Sequence, residues 1–399
     1  MLGACFFAAT RARGQTYSLL YTFCSQTNCA DGAVPNPNLA IDGAGNLYGT
    51  TQSGGVNGAS VGVAFEISPS GAEKVLFDFD SLDSGLEPQG GLIRDANGNL
   101  YGTASGGGDY AKNNCGGSGC GLVFELSPSG VETILFEFVN TQKPRNWEGK
   151  YPYGPLMLDG NGNLYGETLG FGQATTGAVF KLTPGGTETV LHWFGGHKDA
   201  KFPNPGLVMD AGGNIYGTTR GGGGYKGGTV FQLNPAGVET ILYSFGQKKT
   251  LQYGMVPEGG LLMDASGKLY GTNSAQGPYG AGYGTVFELT PGGTPNVLYT
   301  FQGQPDGSRP MGSLVMDAKG TLYGTTSYGG MYGAGTVFKV NSAGEQILYS
   351  FTGGADGGNP MDGLVMDEKG NLYGTTLRGG NTQCPLYSGG CGVVFKIVP

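Results

Sequence analysis

The sequence predicts an all-β fold: a seven-bladed β-propeller with four antiparallel strands per blade, its N-terminal strand closing the last blade. Three observations lead there. First, the tetrad Leu-Tyr-Gly-Thr recurs with small variations. Its tyrosines are Tyr48, Tyr101, Tyr165, Tyr216, Tyr270, Tyr323 and Tyr373, giving seven units of roughly 53 residues. Second, each unit holds four short runs rich in β-branched and aromatic residues, bounded by Gly, Pro, Asn and Asp, with no sustained helical period. Third, the chain opens on a fourth-type run, Tyr17–Phe23, and ends on a third-type run, Val393–Ile397. Seven complete sheets then require the opening run to pair with the final one, which removes two exposed sheet edges.

The elements follow in order within one unit. Leu314–Asp317 is the first run, Leu322–Thr326 the second, Thr336–Val340 the third and Gln346–Phe351 the fourth. Between runs one and two stands Asp-x-x-Gly in all seven units, with Asp42, Asp95, Asp159, Asp210, Asp264, Asp317 and Asp367 leading. Asp first and Gly fourth is the pattern of a type I turn, and Asp can also bond its own backbone two residues on. Ser-Pro-Ser-Gly or Thr-Pro-Gly-Gly joins runs three and four in most units. One face of the ring is therefore expected to carry tight turns. The opposite face would carry the long second-to-third loops and the blade-to-blade links. A Gly after each repeated Tyr marks a close approach, expected between blades, with an aromatic ring over it. The repeated third-run Phe, from Phe65 to Phe395, and the last Phe of each fourth run are the expected core, each worth roughly 1.5–3 kcal/mol on burial.

Composition removes several function classes. Gly supplies 81 of 399 residues without a three-residue period, which excludes collagen. Hydrophobic residues at 38% and aromatics at 11% exceed what a disordered chain carries. No apolar run approaches the roughly 18 residues of a membrane span. Charged residues are only 13% and the net charge is −8, so no nucleic-acid partner is expected. Residues 1–15 read as the remnant of a signal peptide or a disordered tail, and 16–399 as one propeller domain. Beyond Cys5, the cysteines form close pairs: Cys24 with Cys29, Cys115 with Cys120, Cys384 with Cys391. Local disulfides in an oxidising compartment account for them, although pairing across blades is open at this stage.

The pattern Gly-Leu-Val-Met-Asp-x-x-Gly-Asn-Leu-Tyr-Gly-Thr-Thr, then Gly-Gly, then Gly-Thr-Val-Phe-Lys-Leu, resembles the GloVer tandem-repeat proteins. It stands nearly complete at 206–219 with 228–233, and again at 363–376. The resemblance implies a bacterial protein that is extracellular, periplasmic or held at the cell surface, and it brings no catalytic residues.

Function is expected on the long-loop face, because loops on a rigid scaffold carry binding and catalysis. Tyr110, Tyr225, Tyr279, Tyr283, Tyr328, Tyr332 and Tyr387 all fall in second-to-third loops and are candidates for flat contacts with a glycan or peptide. An insertion at 139–155 adds Arg145, Trp147, Tyr151 and Tyr153. Two residues break the repeat. Arg94 occupies an apolar slot, and Glu167 stands where other units have Thr. Glu167 is a weak candidate acid or base. No metal site and no cofactor are expected from two His residues; calcium at the Asp-Gly links is a weak alternative. The leading expectation is a monomeric, non-enzymatic binding module for an extracellular glycan or envelope protein. The alternatives are a carbohydrate-active lyase, glycosidase or lactonase working at the channel mouth, and a purely structural surface repeat.

Overall fold

A computed structural model describes residues 15–56, 61–79, 84–108, 115, 119–139, 150–169, 176–195, 199–247, 254–275, 282–290, 293–361 and 363–399. Seven antiparallel sheets stand around a central axis. In the first blade the order from axis to rim is Ala33–Pro35 with Ala40–Ile41, then Leu47–Ser53, Val63–Ile67 and Glu73–Asp78. The last blade runs Val365–Met366, Leu372–Thr376, Val393–Val398 and finally Thr16–Thr22. The N-terminal strand is thus the outer strand of the C-terminal blade, in antiparallel register from Thr16 opposite Val398 to Thr22 opposite Val393. The expected closure is present.

The tight-turn face repeats closely. In the first unit, the Gly45 N–H donates to the Asp42 carbonyl at 3.0 Å with φ at +87°, which a residue with Cβ tolerates poorly. Asp42 Oδ1 accepts the N–H groups of Ala44 and Asn46, and its Oδ2 accepts the Tyr48 phenol at 3.0 Å. All seven units make this Tyr-to-Asp bond, at 2.9–3.2 Å. The repeated Tyr therefore ties the second strand to the turn that launches it.

The repeated Gly does permit a close approach, but within a blade and not between blades. A Cβ on Gly49 would stand 2.6 Å from Phe65 Cζ and 2.9 Å from Leu39 Cδ2. Phe65 lies opposite Gly49 on the neighbouring strand of the same sheet. The other six glycines meet their own Phe at 2.5–2.7 Å. The ring of each third-strand Phe lies over the Gly, and both are buried.

Contact between blades comes from the other phenylalanine. The last Phe of each outer strand meets the third-strand Phe of the next blade, with centroids 5.0–5.4 Å apart and planes steeply inclined at all seven seams. Edge-to-face pairs of this kind add about 0.5–1.5 kcal/mol each beyond area burial. The N-terminal strand supplies Phe23 to the closing seam, against Phe65. A bulge beside each third-strand Phe bends the outer strand across it. Threonines on the second strands also cross seams: Thr50 Oγ1 donates to the Gly90 carbonyl at 2.9 Å and Thr218 Oγ1 to Gly259 at 3.0 Å.

The inner strands are longer than the sequence reading allowed. Each first run is preceded by a short extended segment ending in X-Pro, as at Val34-Pro35 and Val256-Pro257, which pairs with the far end of the second strand. Because Pro cannot donate to a ladder, a short inner strand broken at this point escaped the periodicity criterion.

Candidate functional site

The X-Pro segments build the site. All seven pre-proline residues, Val34, Glu87, Tyr151, Phe202, Val256, Arg309 and Asn359, have φ between +52° and +59°. That conformation is unusual for any residue with a side chain, and most of all for β-branched Val. It turns the backbone N–H toward the preceding blade. Val34 donates to Cys391, Tyr151 to Cys120, Phe202 to Thr176, Val256 to Gly227, Arg309 to Tyr283 and Asn359 to Ala334, all at 2.7–2.9 Å. Pro fixes the next φ, and the residue after it falls on the channel wall. In six blades these residues, Gln89, Tyr153, Asn204, Glu258, Met311 and Met361, line the funnel, whereas Asn36 is buried with its amide donating to Thr50 Oγ1 and the Pro88 carbonyl.

A second ring comes from the position after Thr-Thr, or after its counterpart Glu167-Thr168, on the second strands, including Gln52, Leu169, Arg220 and Leu377. Together the two rings line a cavity of about 830 Å³ on the loop face of the axis. Phe202 adds an aromatic wall, and Asn38, Gly260, Ser313 and Gly363 stand at its deep end. Pro, Met, Leu, aromatic and Gly residues make up most of the walls, with polar groups such as Gln52, Gln89, Arg220 and Glu258 among them. Arg220 Nη2 pairs with Glu258 Oε1 at 3.0 Å, and the Glu258 side chain is largely buried while Arg220 reaches solvent. Glu258 is the single carboxylate among the described residues lining this funnel. A side groove of about 510 Å³ opens beside it between Gln52, Ser53, Glu87, Gln89 and the segment Pro385–Tyr387. There the Tyr387 hydroxyl lies 3.0 Å from Ser53 Oγ.

The residues expected from the sequence distribute unevenly over this geometry. Tyr153 lines the funnel. Tyr151, two residues earlier, occupies the left-handed position and acts through its backbone. Tyr225 and Tyr328 sit exposed on the loop face outside the funnel lining, with the Arg309 guanidinium 5.5 Å over the Tyr328 ring. The Tyr283 ring packs against Gly303. Tyr110, Tyr279, Arg145 and Trp147 lie outside the described residues. The three local disulfides form as paired. Two of them flank the closing seam, bringing Cys391 Sγ close to Cys24 and Cys29.

Glu167 does not line the funnel. It is 2% exposed on the second strand of blade three, opposite Tyr153 and Val179. Burial raises its carboxyl well above the usual carboxylate range, and the Gly206 backbone opposes that rise. Arg94 is exposed on the turn face, its guanidinium 5.9 Å over the Tyr48 ring of the preceding blade.

Sequence reasoning missed Gln52, Gln89, Phe202, Arg220, Glu258, Met311 and Met361. A signal for them existed: within an otherwise repeating frame, the positions flanking X-Pro and following Thr-Thr change from unit to unit.

The fold and funnel define a seven-bladed propeller with a preformed cavity on its loop face. The chain belongs to the Gloeobacter/Verrucomicrobia repeat family, whose model matches residues 3–138, 110–283 and 257–399. No curated protein matches it in sequence. Among solved structures it is similar to a streptogramin B lyase, with a TM-score of 0.61 and 13% identity over 96% of this chain and 98% of that one. It is also similar to a catalytically inactive histidine-to-alanine variant of virginiamycin B lyase from Staphylococcus aureus with quinupristin, with a TM-score of 0.59 and 12% identity over 96% and 99% of the two chains. At such identities the likeness is one of fold.

Proposed function

We propose that the funnel is a non-catalytic binding site for an amphipathic extracellular glycan or peptide. One observation carries the reading: a ready-formed cavity whose wall side chains differ from blade to blade, and whose single described carboxylate is already held in an ion pair. Concave, mostly apolar sites with a few placed polar groups are the usual form of a ligand site. Tyr153, Phe202 and the Met side chains offer flat or adaptable faces to a sugar ring or an apolar side chain, while Gln52, Gln89 and the Arg220–Glu258 pair offer hydrogen bonds. Glycosidases ordinarily need two carboxyl groups about 5–9.5 Å apart, and Glu258 has no such partner among the described lining residues. The three disulfides support an oxidising compartment, and no helix among the described residues is long and apolar enough to cross a membrane. A secreted or surface-attached protein fits both.

Glycan arrays and pull-downs from isolated cell envelopes test the proposal, run with the wild type and with Tyr153→Ala and Arg220→Met. Retention by the wild type and loss in both variants is expected; equal retention by all three would overturn it. The lyase relatives set a second arm. Incubation with quinupristin should leave its chromatographic retention unchanged, and a converted product would replace binding with catalysis. His192, on the outer strand of blade three, is not among the funnel residues, and His197 lies outside the described residues.

A further inference from the structure

Four of the outer seams between blades share a three-residue arrangement. An aromatic residue on one outer strand, an Asp in the following link and a residue near the start of the next outer strand come together. At three of them the aromatic is Tyr and its phenol satisfies the Asp: Tyr21 donates to Asp31 at 2.8 Å, Tyr299 to Asp306 at 3.0 Å and Tyr349 to Asp356 at 2.9 Å. At the seam between blades three and four the Tyr is replaced by His192, the Asp is Asp199 and the third residue is Glu239.

This replacement changes the chemistry of the seam. His192 Nε2 lies 3.6 Å from Asp199 Oδ1 and 3.9 Å from Glu239 Oε2, beyond hydrogen-bonding distance. It is buried without a hydrogen-bond partner, as is Glu239 Oε1. One nitrogen and two carboxylate oxygens thus face a common point, all within 4.8 Å of one another. In a tetrahedral zinc site with bonds near 2.0–2.2 Å, neighbouring ligand atoms stand roughly 3.3–3.5 Å apart. The two edges from His192, at 3.6 and 3.9 Å, are a few tenths of an ångström longer than that, and the Asp199–Glu239 edge is at most 4.8 Å. His192 and Glu239 lie on the strands Glu188–Trp193 and Glu239–Ser244, and Asp199 stands directly before the strand Ala200–Pro203. The Phe194 ring, edge-on at 4.9 Å, holds the imidazole in place.

We propose that His192, Asp199 and Glu239 form a binding site for a divalent transition-metal ion of the zinc class, joining the outer strands of blades three and four. An imidazole nitrogen with two carboxylates suits zinc, whereas calcium prefers six to eight oxygens. The three protein ligands leave a fourth position to water. This departs from the sequence expectation of no metal site, and it is independent of what the funnel binds.

The test uses the full chain without a polyhistidine tag. Titration with Zn²⁺ should show one equivalent bound and a melting temperature that rises with metal. Co²⁺ should give the visible d–d bands of a low-symmetry site. His192→Tyr restores the residue of the other three seams and should fold; it should lose the Co²⁺ bands and weaken Zn²⁺ binding by more than the roughly 10–100-fold typical of an outer-shell change. Glu239→Gln should weaken it likewise. Absence of Co²⁺ bands and of any Zn²⁺-dependent rise in melting temperature would overturn the proposal. So would binding that His192→Tyr leaves unchanged.

Discussion

The two faces of the ring follow different rules. On the turn face, seven units place the same Asp, Gly and Tyr in the same hydrogen bonds, and behind them seven Phe rings cover seven glycines. On the loop face, an equally regular backbone, with seven left-handed residues each before a Pro, presents Gln, Tyr, Asn, Glu, Met and Met to the funnel from six of the blades. Constancy belongs to the frame and variation to the surface it displays. A change in the frame should therefore act on stability, and a change in the funnel wall on recognition.

The strongest way to break the frame is at its closure. Removing Thr16–Phe23 strips the last blade of its outer strand and the closing seam of Phe23. The truncated protein is expected to aggregate or to melt far below the full chain in a thermal ramp; an unchanged melting temperature would refute closure by pairing of the chain ends. Next comes Gly324→Ala. Its Cβ would fall 2.7 Å from Phe338 Cζ and 2.8 Å from Leu314 Cδ2, and overpacking of this kind costs about 1–3 kcal/mol, measurable by denaturant unfolding. Asp317→Ala releases two backbone N–H groups and the Tyr323 phenol, and should lose about 1–2 kcal/mol, as other lost capping hydrogen bonds do.

Acidity separates two sets of carboxyls. The seven turn aspartates are partly buried, which alone would raise their pKa, but their backbone and side-chain donors hold them below the usual carboxylate range. Their contribution is present above about pH 4 and lost as pH falls through the folded values. The seam glutamates go the other way. Burial first, then a neighbouring Asp carboxylate, pushes Glu73 and Glu345 up to about 7 and Glu239 up to about 9. The folded state there holds protons that the unfolded state has lost, so stability falls as pH rises from about 5 toward 9. Melting temperature against pH, in metal-free buffer, should peak near pH 4–5 by this balance. Glu73→Gln should flatten the alkaline limb; an unaltered limb would assign it to other groups. The smallest effect on stability belongs to the funnel. Tyr153→Ala should shift the unfolding midpoint by less than a core substitution does, while removing ligand retention, and a large loss of stability would place Tyr153 in the frame instead.

The ring, its closure, the turns and the Phe core were legible because each rests on a local pattern repeated seven times. Asp-x-x-Gly names a turn by itself, and a third-type run at the chain's end asks for the fourth-type run at its start. The funnel was less legible, because its walls come from residues 16 apart in sequence, such as Asn204 and Arg220, brought together only when inner and second strands pair. Tyr153 was found through the insertion that precedes it, and Glu258 was missed because an ordinary-looking Pro-Glu carries no period. The repeated Gly was read as a place of close approach, yet which ring would cover it depended on register. Phe65 lies opposite Gly49 in the same sheet, so the contact is internal.

The left-handed pre-proline residues also bear on how such a ring can diversify. Six of them, Val34, Tyr151, Phe202, Val256, Arg309 and Asn359, hand their N–H to a carbonyl in the blade before, and in all but Val34 the side chain two residues on stands on the cavity wall. A loop can lengthen or shorten between its strands without disturbing the wall, provided that one carbonyl stays in register. Displacing that carbonyl would tilt a wall residue of the adjoining blade. Loop length and pocket shape are therefore separable traits, linked at a single atom per blade.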